Sequence, residues 1–139
     1  MIKMGARVQN SQDSHHVILR SDDRVQAVEI PSNPDGFGSS VNGGELLFLA
    51  LATCYVNDIY REAKKRGITV VSVEVDVEGD FGSEGHPARN VIYRARVAAQ
   101  ASDAEIRELM RVTDHAAEIQ NTLRIETPVL LDSIEVVSL

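Results

Sequence analysis

Cys54 is the only cysteine among the 139 residues, and it stands in the middle of "GGELLFLALATCYVNDIYREAKK", residues 43–65. As a thiolate, cysteine is a nucleophile for peroxides and disulfides, and it needs a depressed pKa to be present at neutral pH. As a thiol it is a small apolar filler, among the most buried of residue types. The apolar run around Cys54 raises its pKa by burial, and about twelve residues into a helix the N-terminal dipole no longer lowers it. Asp58, one turn later on the same face, disfavours the thiolate further when ionised. With no cation placed beside it, the sulfur is expected to be mostly thiol at pH 7, and the reactive and inert readings both remain open. Glu45 is a second candidate catalytic group, but nine residues before Cys54 it lies about half a turn out of phase, which suits a helix cap better than catalysis. His15 and His16 have no acidic or cysteine partner at metal-ligand spacing, so no metal is expected. "GSSVNGGE" imitates the start of a phosphate loop but has Gly-Glu where Lys and Ser/Thr are required, and that chemistry is excluded.

The element that must position Cys54 is a helix over residues 43–66. Asn42 and Glu45 have the spacing of a capping box, Arg61, Lys64, Lys65 and Arg66 suit the negative end of the dipole, and Gly67 is the terminator. Its first half is apolar on every side, whereas "NDIYREAKKR" keeps only Ile59, Tyr60 and Ala63. The helix is thus expected to run from fully buried to half exposed. One sheet cannot cover the first half, so a homodimer is expected from this helix alone.

Around it, residues 1–30 read as an antiparallel meander of "KMGARVQ", "HHVILRS" and "RVQAVEI" split by polar turns. Residues 31–42 are an ordered Pro/Gly/Ser/Asn loop feeding the helix. "VVSVEVDVE" alternates, with Val71, Val73, Val75 and Val77 on one face and Ser72, Glu74, Asp76 and Glu78 on the other. "NVIYRARVAA" completes a hairpin over residues 69–99, with Arg94 and Arg96 placed to pair across with the acids. Ser102 and Glu105 open a second helical region, residues 103–123, expected to break near Thr113 and Asp114. Residues 132–138 read as a last strand. With no repeated βαβ unit, the order indicates one α+β domain over residues 1–139 with mainly antiparallel pairing.

"GGELLFLALATCYVNDIYREAKKRGITVVSVEVDVEGDF" resembles the OsmC/Ohr family, the osmotically inducible and organic-hydroperoxide-resistance proteins, and "AAEIQNTL", residues 116–123, resembles its second motif. The resemblance covers roughly residues 40 to 137. It implies an OsmC-like α+β fold with antiparallel sheets around a long central helix, an intertwined homodimer, and active sites at the subunit interface. The implied chemistry is thiol-dependent hydroperoxide reduction, with Cys54 at the position of the reactive cysteine. The sequence departs from that pattern at three points. Ala117 stands where the resolving cysteine is expected, and Gly44 stands where the catalytic glutamate is expected, Glu45 being the neighbouring helix position. The activating arginine has no counterpart in the loop before the helix, which leaves Arg7, Arg20 and Arg24 without a motif to choose among them. His115, two residues before Ala117, could face Cys54 as a base, or could sit at the surface or in a cap.

A net charge of −7 and a pI near 5.0 with dispersed basic residues argue against nucleic acid, and the absence of Trp with few aromatics argues against single-strand stacking. The run Leu46 to Val56 is too short for a bilayer, and neither a signal peptide nor a lipid anchor is indicated, so a cytoplasmic protein without membrane contact is expected. Two functions follow. One is a one-cysteine peroxidase for organic hydroperoxides, recycled by an external thiol and needing no cofactor. The other is a non-catalytic dimer holding a small hydrophobic ligand at its interface.

Overall fold

Short alternating runs separated by polar turns form the first three strands, β1 (Met4–Ser11), β2 (Ser14–Ser21) and β3 (Arg24–Val28), joined antiparallel in the order β1-β2-β3. The computed structural model describes residues 1–139 and divides into two compact units, residues 1–47 and 48–139. In the first unit, Asp13 and Asp22 turn the chain at φ of 58° and 48°, a left-handed conformation that Asp tolerates better than most residues. The Pro/Gly loop is ordered as expected, because it is pinned to the β1–β2 turn. Asp13 N–H donates to the Gly36 carbonyl at 2.7 Å, and Asn10 exchanges hydrogen bonds with the Gly38 backbone at 3.0 and 3.2 Å. Gly36 has φ of 92°, and a Cβ there would stand 2.6 Å from Asp13 Oδ1, so the position requires glycine. Val17 is the one buried hydrophobic residue of this unit.

The helix α1 (Gly43–Lys65) begins with the expected capping box. Glu45 N–H donates to Asn42 Oδ1 at 2.8 Å and Asn42 N–H to Glu45 Oε1 at 3.1 Å. It ends one residue short of expectation, where Gly67 at φ of 65° lets Ile68 N–H reach the Ala63 carbonyl at 3.0 Å.

In the second unit, β4 (Thr69–Asp80) and β5 (Arg89–Gln100) form a two-stranded antiparallel sheet. The acidic face pairs across as expected, Glu78 with Arg94 at 3.1 Å and Glu74 with Arg96 at 3.8 Å. The alternation is corrected at one residue: a register shift between Val70 and Ser72 turns Val71 outward, 65% exposed, and places Val70 against the core. Helix α2 (Asp103–Ala116) opens on the Ser102–Glu105 capping box, and α3 (Glu118–Arg124) follows it. The break falls at Ala117, past Thr113 and Asp114: Thr113 lies inside a continuous helix with its Oγ1 donating to the Leu109 carbonyl at 2.7 Å, and Asp114 is held by Tyr93 and Arg124. The core joins Tyr55, Ile59 and Ala63 of α1 to Leu109 of α2 and to the inner residues of β4 and β5, with Tyr55 edge-on to Tyr93 at 5.1 Å.

One further expectation is corrected. Residues 132–138 form no strand: the chain beyond Arg124 runs without regular structure, because no strand of this chain pairs with it. The apolar half of α1 is covered in part within the chain, Leu51 and Tyr55 being buried and Leu46 37% and Leu49 58% exposed, and the buried stripe runs on through Asp58, Ile59, Glu62 and Ala63. That stripe follows the three-to-four-residue repeat of a single helix face, the only face the sheet and α2 cover. No helix is long and apolar enough to cross a membrane.

Candidate active site

Cys54, Asp58 and Arg61 succeed one another along α1 at spacings of four and three, so they share one helix face. Glu118 reaches the same place from the first turn of α3, brought there by the turn at Ala117, which is fully buried. The half-buried Cys54 Sγ–H has two acceptors, Asp58 Oδ2 at 3.5 Å and Glu118 Oε2 at 3.8 Å. One thiol proton can serve only one of them at a time. Arg61 spans both carboxylates, its Nη1 standing 3.1 Å from Asp58 Oδ1 and 2.9 Å from Glu118 Oε1. A second tie between α1 and α3 is Gln120 Nε2, which donates to the Leu51 carbonyl at 3.0 Å, while Gln120 Oε1 is buried without a partner.

These neighbours set the protonation states. Burial pushes the Cys54 thiol above its ordinary value, the Ile119 backbone N–H pulls it back, and the Asp58 and Glu118 carboxylates push it up again. The Asp58 carboxyl is also raised, first by burial and then by Glu118 beside it. Glu118 is lowered, first by its own backbone N–H at the start of α3 and then by Asp58 and Arg61 as partners. The arrangement is a thiol facing a carboxylate pair in which Asp58 holds a proton more readily than Glu118. A sulfur and two carboxylates within 4.8 Å of one another are also donors that a divalent cation could span, but the Arg61 guanidinium already sits on both carboxylates.

Of the residues singled out from the sequence, Cys54 and Asp58 are brought together here. Glu45 is engaged in the α1 cap. His115 is exposed, and its Nδ1 pairs with the Arg111 carbonyl at 2.9 Å, so it takes the capping role near the end of α2. Ala117 lines the buried turn instead of supplying a second sulfur. The sequence reading missed Glu118 and underused Arg61, which it took as a partner for the helix dipole. The available signal for Glu118 was its place directly after Ala117, the second-motif position.

Two antiparallel sheets, a long cysteine-bearing helix and a following helix pair define an α+β protein of the OsmC-like class. The family model described as OsmC-like protein matches residues 36–132, and the chain belongs to that family. Among solved structures it is similar to an OsmC-like protein from Mycoplasma pneumoniae, at 21% identity and a TM-score of 0.63, covering 88% of this chain and 87% of that one. An OsmC-like protein of unknown function from Vibrio cholerae matches at 17% identity and a TM-score of 0.62, covering 91% of this chain and 96% of that one. An organic hydroperoxide resistance protein OsmC from Legionella pneumophila matches at 16% identity and 0.59, covering 88% and 89%. No curated protein matches the sequence.

Proposed function

We propose that this OsmC-like chain reduces organic hydroperoxides through Cys54 and is returned to the thiol by an external thiol. The observation that carries this reading is the Cys54 thiol facing two carboxylate acceptors at 3.5 and 3.8 Å. Where a fixed cation is not in contact with the sulfur, a base beside it supplies the thiolate at the moment of attack. The carboxylate pair takes the proton from Cys54. The sulfur attacks the distal peroxide oxygen, the O–O bond breaks and an S–O bond forms. The same proton then goes to the departing alkoxide, so Cys54–SH and ROOH give Cys54–SOH and ROH. With Ala117 in place of a second sulfur, a free thiol R′SH condenses with the sulfenic acid to Cys54–S–S–R′ and water. A second R′SH releases Cys54–SH and R′SSR′.

The apolar run "LLFLALA" leading to Cys54 favours organic hydroperoxides over hydrogen peroxide, and we assign the exposed face of Leu46 and Leu49 to a second copy of the chain, making the working unit a homodimer. A cytoplasmic location supplies the reducing thiol pool that the cycle needs. One observation favours a second reading, a ligand-binding dimer without catalysis: burial raises the Cys54 pKa, and the polar side chains at hydrogen-bonding distance from the sulfur are both carboxylates.

The deciding experiment is thiol-coupled turnover of an alkyl hydroperoxide by wild type and Cys54→Ser, with intact mass after oxidation. Weak turnover that vanishes in Cys54→Ser, and a mass gain of one oxygen or one thiol, are expected. Turnover unchanged by Cys54→Ser, or none in wild type, leaves the ligand-binding reading.

A further inference from the structure

The anions around Cys54 bear on which thiol can approach it. Glu118, 64% exposed at its side chain, forms the solvent side of the cluster, and Asp58 lies behind it at 8%. Arg61 brings one positive charge to these two negative ones, and it is shared with Glu62 at 3.2 Å. With Asp58 and Glu118 both ionised, the groups touching the sulfur and the cation tied to them sum to one negative charge. Lys65, the last residue of α1, and Arg66, just past its end, are held by Glu62 at 2.9 and 3.3 Å. At physiological ionic strength charges more than about 8 Å apart are largely screened, so the carboxylates at the sulfur dominate.

We infer that the thiol which recycles Cys54 is cationic, carrying a protonated amine near its sulfhydryl, and that anionic thiols are disfavoured, with Glu118 as the residue that sets this preference. The inference rests on the proposed peroxidase cycle for its biological meaning. In that cycle the incoming R′S–H loses its proton, its sulfur bonds to the Cys54 sulfur, and the sulfenic oxygen leaves as water. A carboxylate about 6 Å from the charge of R′SH attracts or repels it by a factor of roughly three in rate at water-like dielectric, giving roughly tenfold between a +1 and a −1 thiol.

The test uses two methanethiosulfonates, one carrying a trimethylammonium group and one a sulfonate. Each Cys54 modification rate is normalised to that of 2-mercaptoethanol with the same reagent. Modification consumes no hydroperoxide, so charge selection can fail while turnover persists, and turnover can fail while charge selection persists. The cationic reagent is expected to react about tenfold faster at low ionic strength. The ratio should fall to near one in Glu118→Gln, and separately in wild type at about 1 M salt, where screening is nearly complete. Regeneration of oxidised Cys54 should follow the same order with cysteamine against 3-mercaptopropionate at equal thiolate concentration. Equal rates for the two reagents in wild type, a faster anionic reagent, or a ratio that salt leaves untouched would overturn the inference.

Discussion

The two halves of α1 each depart from the ordinary relation between residue type and burial. Its apolar half leaves Leu46 and Leu49 in the open, while its charged half buries Asp58 and Glu62 to 6 and 7% around a completely buried Ile59. The difference follows from what each half packs against. The second half has the β4–β5 sheet and α2 on one side, and its buried carboxylates are held by Arg61, Lys65 and Arg66. The first half is covered along Leu51 and Tyr55 and leaves Leu46 and Leu49 as apolar surface that nothing in this chain covers. Cys54 lies at the junction, where apolar surface gives way to paired charge.

The comparison breaks most readily at the uncovered half. A double change, Leu46→Asp with Leu49→Asp, places two charges on the face assigned to the second copy and is expected to abolish the dimer, converting it to monomer at low micromolar concentration in light scattering. A wild-type chain that is itself a folded monomer there would remove the interface reading, and the exposed leucines would then be plain surface.

The covered half is tested at Ile59. Fully buried between the sheet and α2, its truncation to alanine leaves a cavity that the neighbours fill only in part, so Ile59→Ala should cost about 2–5 kcal/mol in urea unfolding. A loss below about 1 kcal/mol would show that the site collapses freely and that this half is no better packed than the other.

How far the sequence foretold these features depends on the range of the interactions. Both capping boxes, the turn at Gly67 and the cross-strand pairs of Arg94 and Arg96 are set by residues a few positions apart or by simple alternation, and all were legible. The bulge at Val71 was not, since an unbroken run of alternating valines carries no sign of a register shift. The break at Ala117 was placed too early because Thr113 and Asp114 are poor helix formers in isolation, and tertiary contacts override that: Asp114 accepts from Tyr93 and pairs with Arg124 at 2.7 Å. Residues 132–138 have the composition of a strand, but a strand exists only with a neighbour to pair with. At the site, Cys54 and Asp58 were legible from helical spacing. Glu118 stands 64 residues from Cys54 in sequence, and no periodicity reaches that far.

The smallest expected effect concerns the charge of Glu62, and it sharpens the claim that paired cations let the second half bury its acids. Lys65 Nζ at 2.9 Å, Arg61 Nε at 3.2 Å and Arg66 Nη1 at 3.3 Å surround its carboxylate and hold its pKa down at about 2, Lys65 contributing most. A carboxyl whose folded pKa lies below its unfolded value of about 4.5 stabilises the fold at every pH above that unfolded value, and the contribution drains away as pH falls through about 2. Asp58 has the opposite sign: its raised pKa costs stability wherever it is ionised, and protonation relieves that cost, so the acid response of the wild type is a difference of two terms. Glu62→Gln keeps an acceptor oxygen and removes only the charge, which isolates the Glu62 term. Lys65 is 63% and Arg61 39% exposed, so solvent screening leaves a gap of about 1 kcal/mol between wild type and Glu62→Gln at pH 7. Urea unfolding should find that gap intact down to pH 5 and closing between about 4.5 and 2. A gap that stays constant across this range would mean that the cations act on Glu62 through packing of their stems and not through charge, and burial of acids in the second half would then need another cause.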